Sequence, residues 1–172
     1  MLRNIRLYPW YSACFEMHFW MPVFFLYFNS IFSVQQVLLL EAIYYAAVVI
    51  LEVPSGYFSD AVGRKRTLLI SAAGLVAAHS LFVFGTSFAG FAIAQIGLAV
   101  GISFRSGTNT SFHYESLAAL DRQAEFDDRE AIVARNGFAG SALGAILGGL
   151  AGALSLRYSY GLALVNAVVL TS

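Results

Sequence analysis

Glu16, Glu52 and Arg105 lie inside long apolar stretches of a 172-residue chain, where a charge is expensive. An arginine or acid at the centre of a membrane helix costs about 2.5 to 3.5 kcal/mol on insertion scales, so each needs a partner. Counted from the ends of their stretches, Arg105 sits about 17 residues in and Glu52 about 16, which at ~1.5 Å per residue brings both to about 25 Å depth. Glu16, entering from the other side, arrives near the same level. A buried cluster of Arg105 with Glu52 and Glu16 is therefore expected. Two chemistries stand open for it: an ion pair that fixes helix register, or carboxylates that carry a proton or meet a solute.

Other polar side chains extend this set. Glu41 precedes Glu52 by eleven residues, nearly the same helical face at ~100° per residue, with Tyr45, Val48 and Ser55 beside them. Such a stripe is expected to face a bundle interior or a water-filled cavity, with Glu41 itself an interfacial charge near the end of its stretch. Gly101, Arg105, Thr108, Asn109 and Ser116 give a second polar face between Gly97 and Leu117. Glu16, Glu52, Arg105 and Asn109 are the candidate proton or solute site. His18 and His113 are expected to be interfacial hydrogen-bonders. Ser111 and His113 diverge by about 200° on one helix, which excludes a hydrolase pair. No phosphate-binding glycine loop is present, and the residues suggest neither an enzyme, a cofactor nor a metal site. The single cysteine, Cys14, is expected to be a packing or lipid contact.

The elements that must position these residues follow from composition. The chain is 59% hydrophobic and 12% charged, with mean hydropathy +0.71, against about 25% charged in soluble domains. Apolar runs of about 20 residues, enough to cross ~30 Å of hydrocarbon, recur along it. Helices are expected near residues 10–31, 35–60, 66–84, 88–116, 129–154 and 157–172, separated by short polar or glycine breaks. The fold class is an all-α polytopic membrane helical bundle with five complete helices and one partial one, the chain being expected to stop within its sixth span. The first run is too long for a signal-peptide core and is expected to stay as a span. A net charge of zero excludes a basic nucleic-acid surface.

With the amino terminus inside, Arg3, Arg6, Arg64, Lys65, Arg66, Arg122, Arg129 and Arg135 all become cytoplasmic, which is the orientation the positive-inside bias selects. The chain is thus expected to be an integral protein of the plasma (inner) membrane. Trp10, Tyr11, Trp20, Tyr158 and Tyr160 are expected to serve partly as interfacial anchors.

The densest pattern is Leu51-Glu52-Val53-Pro54-Ser55-Gly56-Tyr57-Phe58-Ser59-Asp60-Ala61-Val62-Gly63-Arg64-Lys65-Arg66. Gly56 permits close helix approach, Asp60 is expected to end the helix, Gly63 supplies a tight turn, and the basic cluster holds the turn in the cytosol. A turn that only fixes orientation would need no more. The pattern Gly56, Asp60, Gly63, Arg64, Lys65, however, resembles the signature loop between the second and third helices of the major facilitator superfamily. Glu52-x-Pro54-Ser55-Gly56 resembles its drug-efflux-like branches, and Phe104-Arg105-Ser106-Gly107 with His113-Tyr114-Glu115-Ser116-Leu117 resembles the fourth helix of multidrug-like members.

That resemblance implies an amino-terminal half of six helices, two three-helix units in inverted topology, with the carboxy-terminal half absent. It implies that Asp60 helps close the cytoplasmic side against the second half, and that Arg64 pairs with Glu115 at the end of the fourth helix. It also implies alternating-access transport of a small-molecule substrate coupled to an ion gradient, expected to be protons, in a lipid bilayer. A nutrient symporter half and a nonfunctional or accessory half-transporter are the other readings; a wide aromatic cavity would favour an exporter of amphipathic molecules. Gly140, Gly144, Gly148 and Gly152 recur at intervals of four and predict a close-packing seam. The seam resembles the glycine-rich motif of the family's antiporters but lacks its proline, which leaves the direction of transport open.

Overall fold

A computed structural model describes residues 2–171, so the expected end of the last span at Ser172 lies outside the described residues. These residues form eight α-helices and no strand: α1 Leu2–Phe15, α2 Phe24–Asn29, α3 Val34–Val62, α4 Arg64–Phe84, α5 Phe88–Arg105, α6 Thr108–Ala118, α7 Phe126–Leu154 and α8 Leu156–Val169. Four stretches are long and apolar enough to cross a membrane, namely Val34–Val62, Arg64–Phe84, Phe88–Ala118 and Gln123–Leu154. Much of their apolar surface points outward: Val53, Tyr57, Phe138 and Leu154 are each at least 78% exposed, which a lipid solvent tolerates and water does not.

The first and last expected spans are not among these four stretches: α8 is a single helix of 14 residues, and the first is broken, its α1 having 14 residues. A continuous helix over 10–31 does not form. α1 starts at Leu2, stops at Phe15, and the chain resumes as a 3-10 turn at Met21–Val23 followed by α2. Pro22 accounts for part of this, because it has no N–H to return to the preceding turn; the Met21 N–H bonds the His18 carbonyl instead, at 3.1 Å. The fourth expected span, 88–116, is likewise interrupted at Ser106–Gly107, where Gly107 takes φ +71. Glycine alone holds that left-handed backbone without strain.

The expected break over Asp60–Arg66 contracts to one residue. α3 runs on to Val62, so Asp60 lies in its last turn rather than ending it, and Gly63 at φ +100 turns the chain directly into α4. At its other end α3 opens with a capping box: the Ser33 hydroxyl oxygen accepts the Gln36 N–H while the Gln36 side chain accepts from the Ser33 N–H. Ser87 caps α5 through the Gly90 N–H at 3.1 Å.

Two packing seams set the layout. α4 meets α5 through glycines, Gly74 lying 3.0 Å from the Gly97 carbonyl by the reach of an added Cβ, and the Ser71 hydroxyl donates to the Gly101 carbonyl. α7 meets the first span through Gly140, Gly144 and Gly148. A Cβ at any of these would overlap the backbone of Ala13, Met17 or Phe19, so the interrupted stretch Glu16–Trp20 lies directly on the seam. Gly152 continues the line against the Val23 side chain. The core beyond is aromatic: Phe28, Phe82, Phe91 and Tyr160 are almost fully buried, and Tyr27 donates its hydroxyl to the Phe82 carbonyl at 2.6 Å.

Candidate functional site

The two interruptions face each other. Arg105, last residue of α5, extends its guanidinium to the end of α1, where Nη1 donates to Glu16 Oε1 at 3.0 Å and Nη2 to Ser12 Oγ at 3.2 Å. Its Cζ lies 3.9 Å from the centroid of the Phe15 ring, a cation–π contact. The cation therefore sits at the carboxyl ends of both α1 and α5, where helix dipoles favour positive charge. The side chains are 14% and 33% exposed, so the pair is sheltered yet still reachable.

Glu52 does not join it. Its Oε1 accepts from Ser106 Oγ at 3.2 Å, and the residue is exposed on α3. Equal depth along two unbroken helices implied a meeting with Arg105, but the turn at Ser106–Gly107 presents Ser106 to α3 and leaves Arg105 to the first span. Asn109, half-buried on α6, stands beside Tyr8.

Near Arg105 lies a group of buried polar atoms that meet no partner of good hydrogen-bond geometry among the described residues: Tyr8 Oη (beside Asn109), Tyr11 Oη, Thr108 Oγ1, His113 Nε2 and the arginine's own Nε. All come from α1 or from the two halves of the interrupted fourth span. Buried polar groups are ordinarily satisfied, so five together mark a place where water or a solute completes the bonding. His113 belongs to this group rather than to an interface. It is 1% exposed, stacks on Tyr8 with centroids 4.4 Å apart, and pairs through Nδ1 with Glu130 of α7. Glu130 gave no signal in the sequence, since its partner stands seventeen residues away across a charged turn.

A cavity of about 270 Å³ opens nearby between the first span, α3, α5 and α8. Glu41 lines it and accepts a 2.9 Å hydrogen bond from Gln95 Nε2 of α5. Trp20 and Tyr160 line it too and stack at 6.5 Å, and Tyr160, 1% exposed, is core rather than an interfacial anchor; Tyr11 packs on Tyr8 and Phe15. A smaller space of about 20 Å³, the size of one water, separates His18 from His79. His79 is 4% exposed, holds the Leu75 carbonyl through Nδ1 at 2.8 Å, and leaves Nε2 without a partner. Gln95 and His79 were both findable by the reasoning that found Arg105, since each is a polar side chain in an apolar run.

The basic turn forms a separate centre. Arg64 bridges α3, α4 and α6: Nη1 pairs with Asp60 and bonds Ser59 Oγ at 2.8 Å, and Nε bonds Glu115 Oε1 at 3.0 Å. Lys65 and Arg3 line one surface pocket on this end, whereas Gly56 has open space beside it. Arg66 is exposed and enters none of the ion pairs. Arg122 and Arg129 both hold Glu125, which lies ahead of the apolar part of α7, and their hydrogen bonds draw its carboxyl down to about 2. No family model, no curated protein and no solved structure matches this chain.

Proposed function

We propose that the chain is a six-helix unit of a secondary carrier of the major facilitator kind, moving a small amphipathic solute against protons. The observation that carries this reading is the pair of interrupted spans joined by Arg105 and Glu16 beside an open aromatic cavity. The first and fourth spans open the two three-helix groups, and both break at their inner level, as discontinuous helices do where carriers hold a substrate or coupling ion. The unit works with a second such unit, in the same polypeptide or another, because one bundle cannot enclose a solute from both sides. Its basic end is cytoplasmic on this reading.

The chemistry follows from the pair. Ionised Glu16 holds Arg105 between the two breaks. A proton on Glu16 removes one charge, releases the guanidinium to Ser12 and the Phe15 face, and weakens the tie between the first and fourth spans. Loading and unloading that proton on opposite sides couples the gradient to the movement of the halves. The largely aromatic and aliphatic lining of the cavity favours an amphipathic solute over a strongly polar one.

Inverted vesicles from cells expressing the full coding sequence, acidified inside and monitored with a pH-sensitive dye, test it. Adding a transported amphipathic solute should release protons, and Glu16→Gln should cut that release at least tenfold. Solute movement that ignores the pH gradient would overturn proton coupling.

A further inference from the structure

We infer that the cavity bounded by Glu41 and Trp20 is a recognition site for a monovalent organic cation carrying an aromatic or alkyl body. The inference rests on the carrier reading above, whose solute it specifies. One carboxylate lines the cavity, Glu41, and neither lysine nor arginine does; His18 is its other ordinarily titratable member. The carboxylate is oriented from behind: Gln95, 2% exposed, donates Nε2 to Glu41 Oε1 at 2.9 Å. A buried amide that fixes an acid at a cavity wall sets the direction in which it meets a ligand, an arrangement suited to a cationic head group.

Much of the rest of the wall is aromatic. Trp20 meets Phe24 edge-on at 6.2 Å and stacks with Tyr160 at 6.5 Å, and Tyr44 meets Tyr45 edge-on at 5.0 Å beside Glu41. Aromatic faces attract cations through their quadrupoles, most strongly where water is scarce, and they also accept a flat apolar body. A dehydrated anion would meet the Glu41 carboxylate with no lysine or arginine in the lining to balance it. A neutral solute would gain the apolar contacts and leave the carboxylate unpaired. The volume, about 270 Å³, suits one compact molecule.

The two tryptophans make this testable, since Trp10 is exposed and Trp20 lines the cavity. In the full chain in lipid nanodiscs with Trp10→Phe, Trp20 fluorescence is titrated with benzyltrimethylammonium, with its uncharged carbon isostere neopentylbenzene, and with phenylmethanesulfonate. The expected result is a saturable change with the cation and only linear partitioning with the other two. Glu41→Gln should weaken the cation at least tenfold, Glu41→Asp should retain most of the affinity, and Asp127→Asn, which removes the same charge at the surface of α7, should leave it unchanged. Circular dichroism confirms that each variant is folded. Equal saturation by neopentylbenzene, or wild-type affinity in folded Glu41→Gln, overturns the proposal. Binding needs no gradient: saturable, Glu41-dependent binding without proton movement removes the carrier reading and leaves the site, and proton-coupled movement without such binding does the reverse.

Discussion

The basic turn and the middle of the bundle both gather arginines and acids, but they treat them in opposite ways. At the turn Arg64 is over-supplied, with Asp60, Glu115 and Ser59 as partners, and ahead of α7 Glu125 likewise has two arginines. In the middle, Arg105 has one carboxylate, and its own Nε and four neighbouring buried polar atoms go unmatched among the described residues. Exposed pairs are individually weak, so redundancy makes a fastening out of them. A sheltered single pair is costly to break and simple to rewrite by one proton, which suits an element that has to change. The contrast separates a clamp from a working part.

The sharpest way to break this comparison is to remove the cation of the sparse region. Arg105→Met strands Glu16 beside α1 and should lower stability by about 2 to 3 kcal/mol, below the ~3 to 5 of a fully buried pair because Glu16 keeps some solvent; unfolding in detergent measures it. Arg105→Lys should recover less than half, since an ammonium cannot serve Glu16, Ser12 and the Phe15 ring in one plane. A loss no larger than that of Arg64→Ala would erase the distinction between the two regions.

Next in size is the seam beneath the first interruption. Gly144→Ala puts a methyl group into the Met17 backbone and should cost about 1 to 3 kcal/mol, whereas Gly149→Ala, with open space beside it, should be neutral or slightly stabilising. Melting temperatures of the two variants in one detergent decide this. Arg64→Ala comes third, at about 1 kcal/mol or less, because its partners are 68% and 55% exposed. Its effect should show instead as faster amide exchange at the end of α6.

The smallest effect concerns Glu125. Its carboxyl is held near 2, well below the ordinary carboxylate value of about 4.3. A depressed acid adds stability above its unfolded value and loses it as pH falls toward the folded one. Amide protection over Gln123–Arg129 should therefore be flat from about pH 8 to 5 and fall only below ~4. A decline near neutrality would mean that these arginines do not hold it.

How far the sequence revealed this molecule depends on the kind of signal. The lipid setting was plain from apolar runs that no water-soluble core could absorb, and the need of Arg105 for a partner followed from charge burial alone. The choice of partner did not, because depth counting treats helices as straight rods. Ser106–Gly107 and the Pro22 region were visible as breakers, yet each is embedded in a run whose hydropathy reads as continuous. Of the clamp, the turn at Gly63 was legible through spacing, but the Arg64–Glu115 tie, 51 residues apart, was expected only from the family resemblance, and the Asp60–Arg64 pair was not read. Glu130 with His113 and Gln95 with Glu41 join different helices, and no local pattern announces a pair that only tertiary packing creates.

The glycines under the first interruption bear on how this protein can drift over generations. At 140, 144 and 148 even one methyl group collides with main chain, which no compensating side-chain change can move aside. Their neighbours Leu143, Ile146 and Leu147 are exposed on α7, where one aliphatic serves as well as another. Lineages that keep the broken first span should therefore carry a four-residue beat of fixed glycines between freely exchanging positions, and a lineage that loses the beat should have straightened the span.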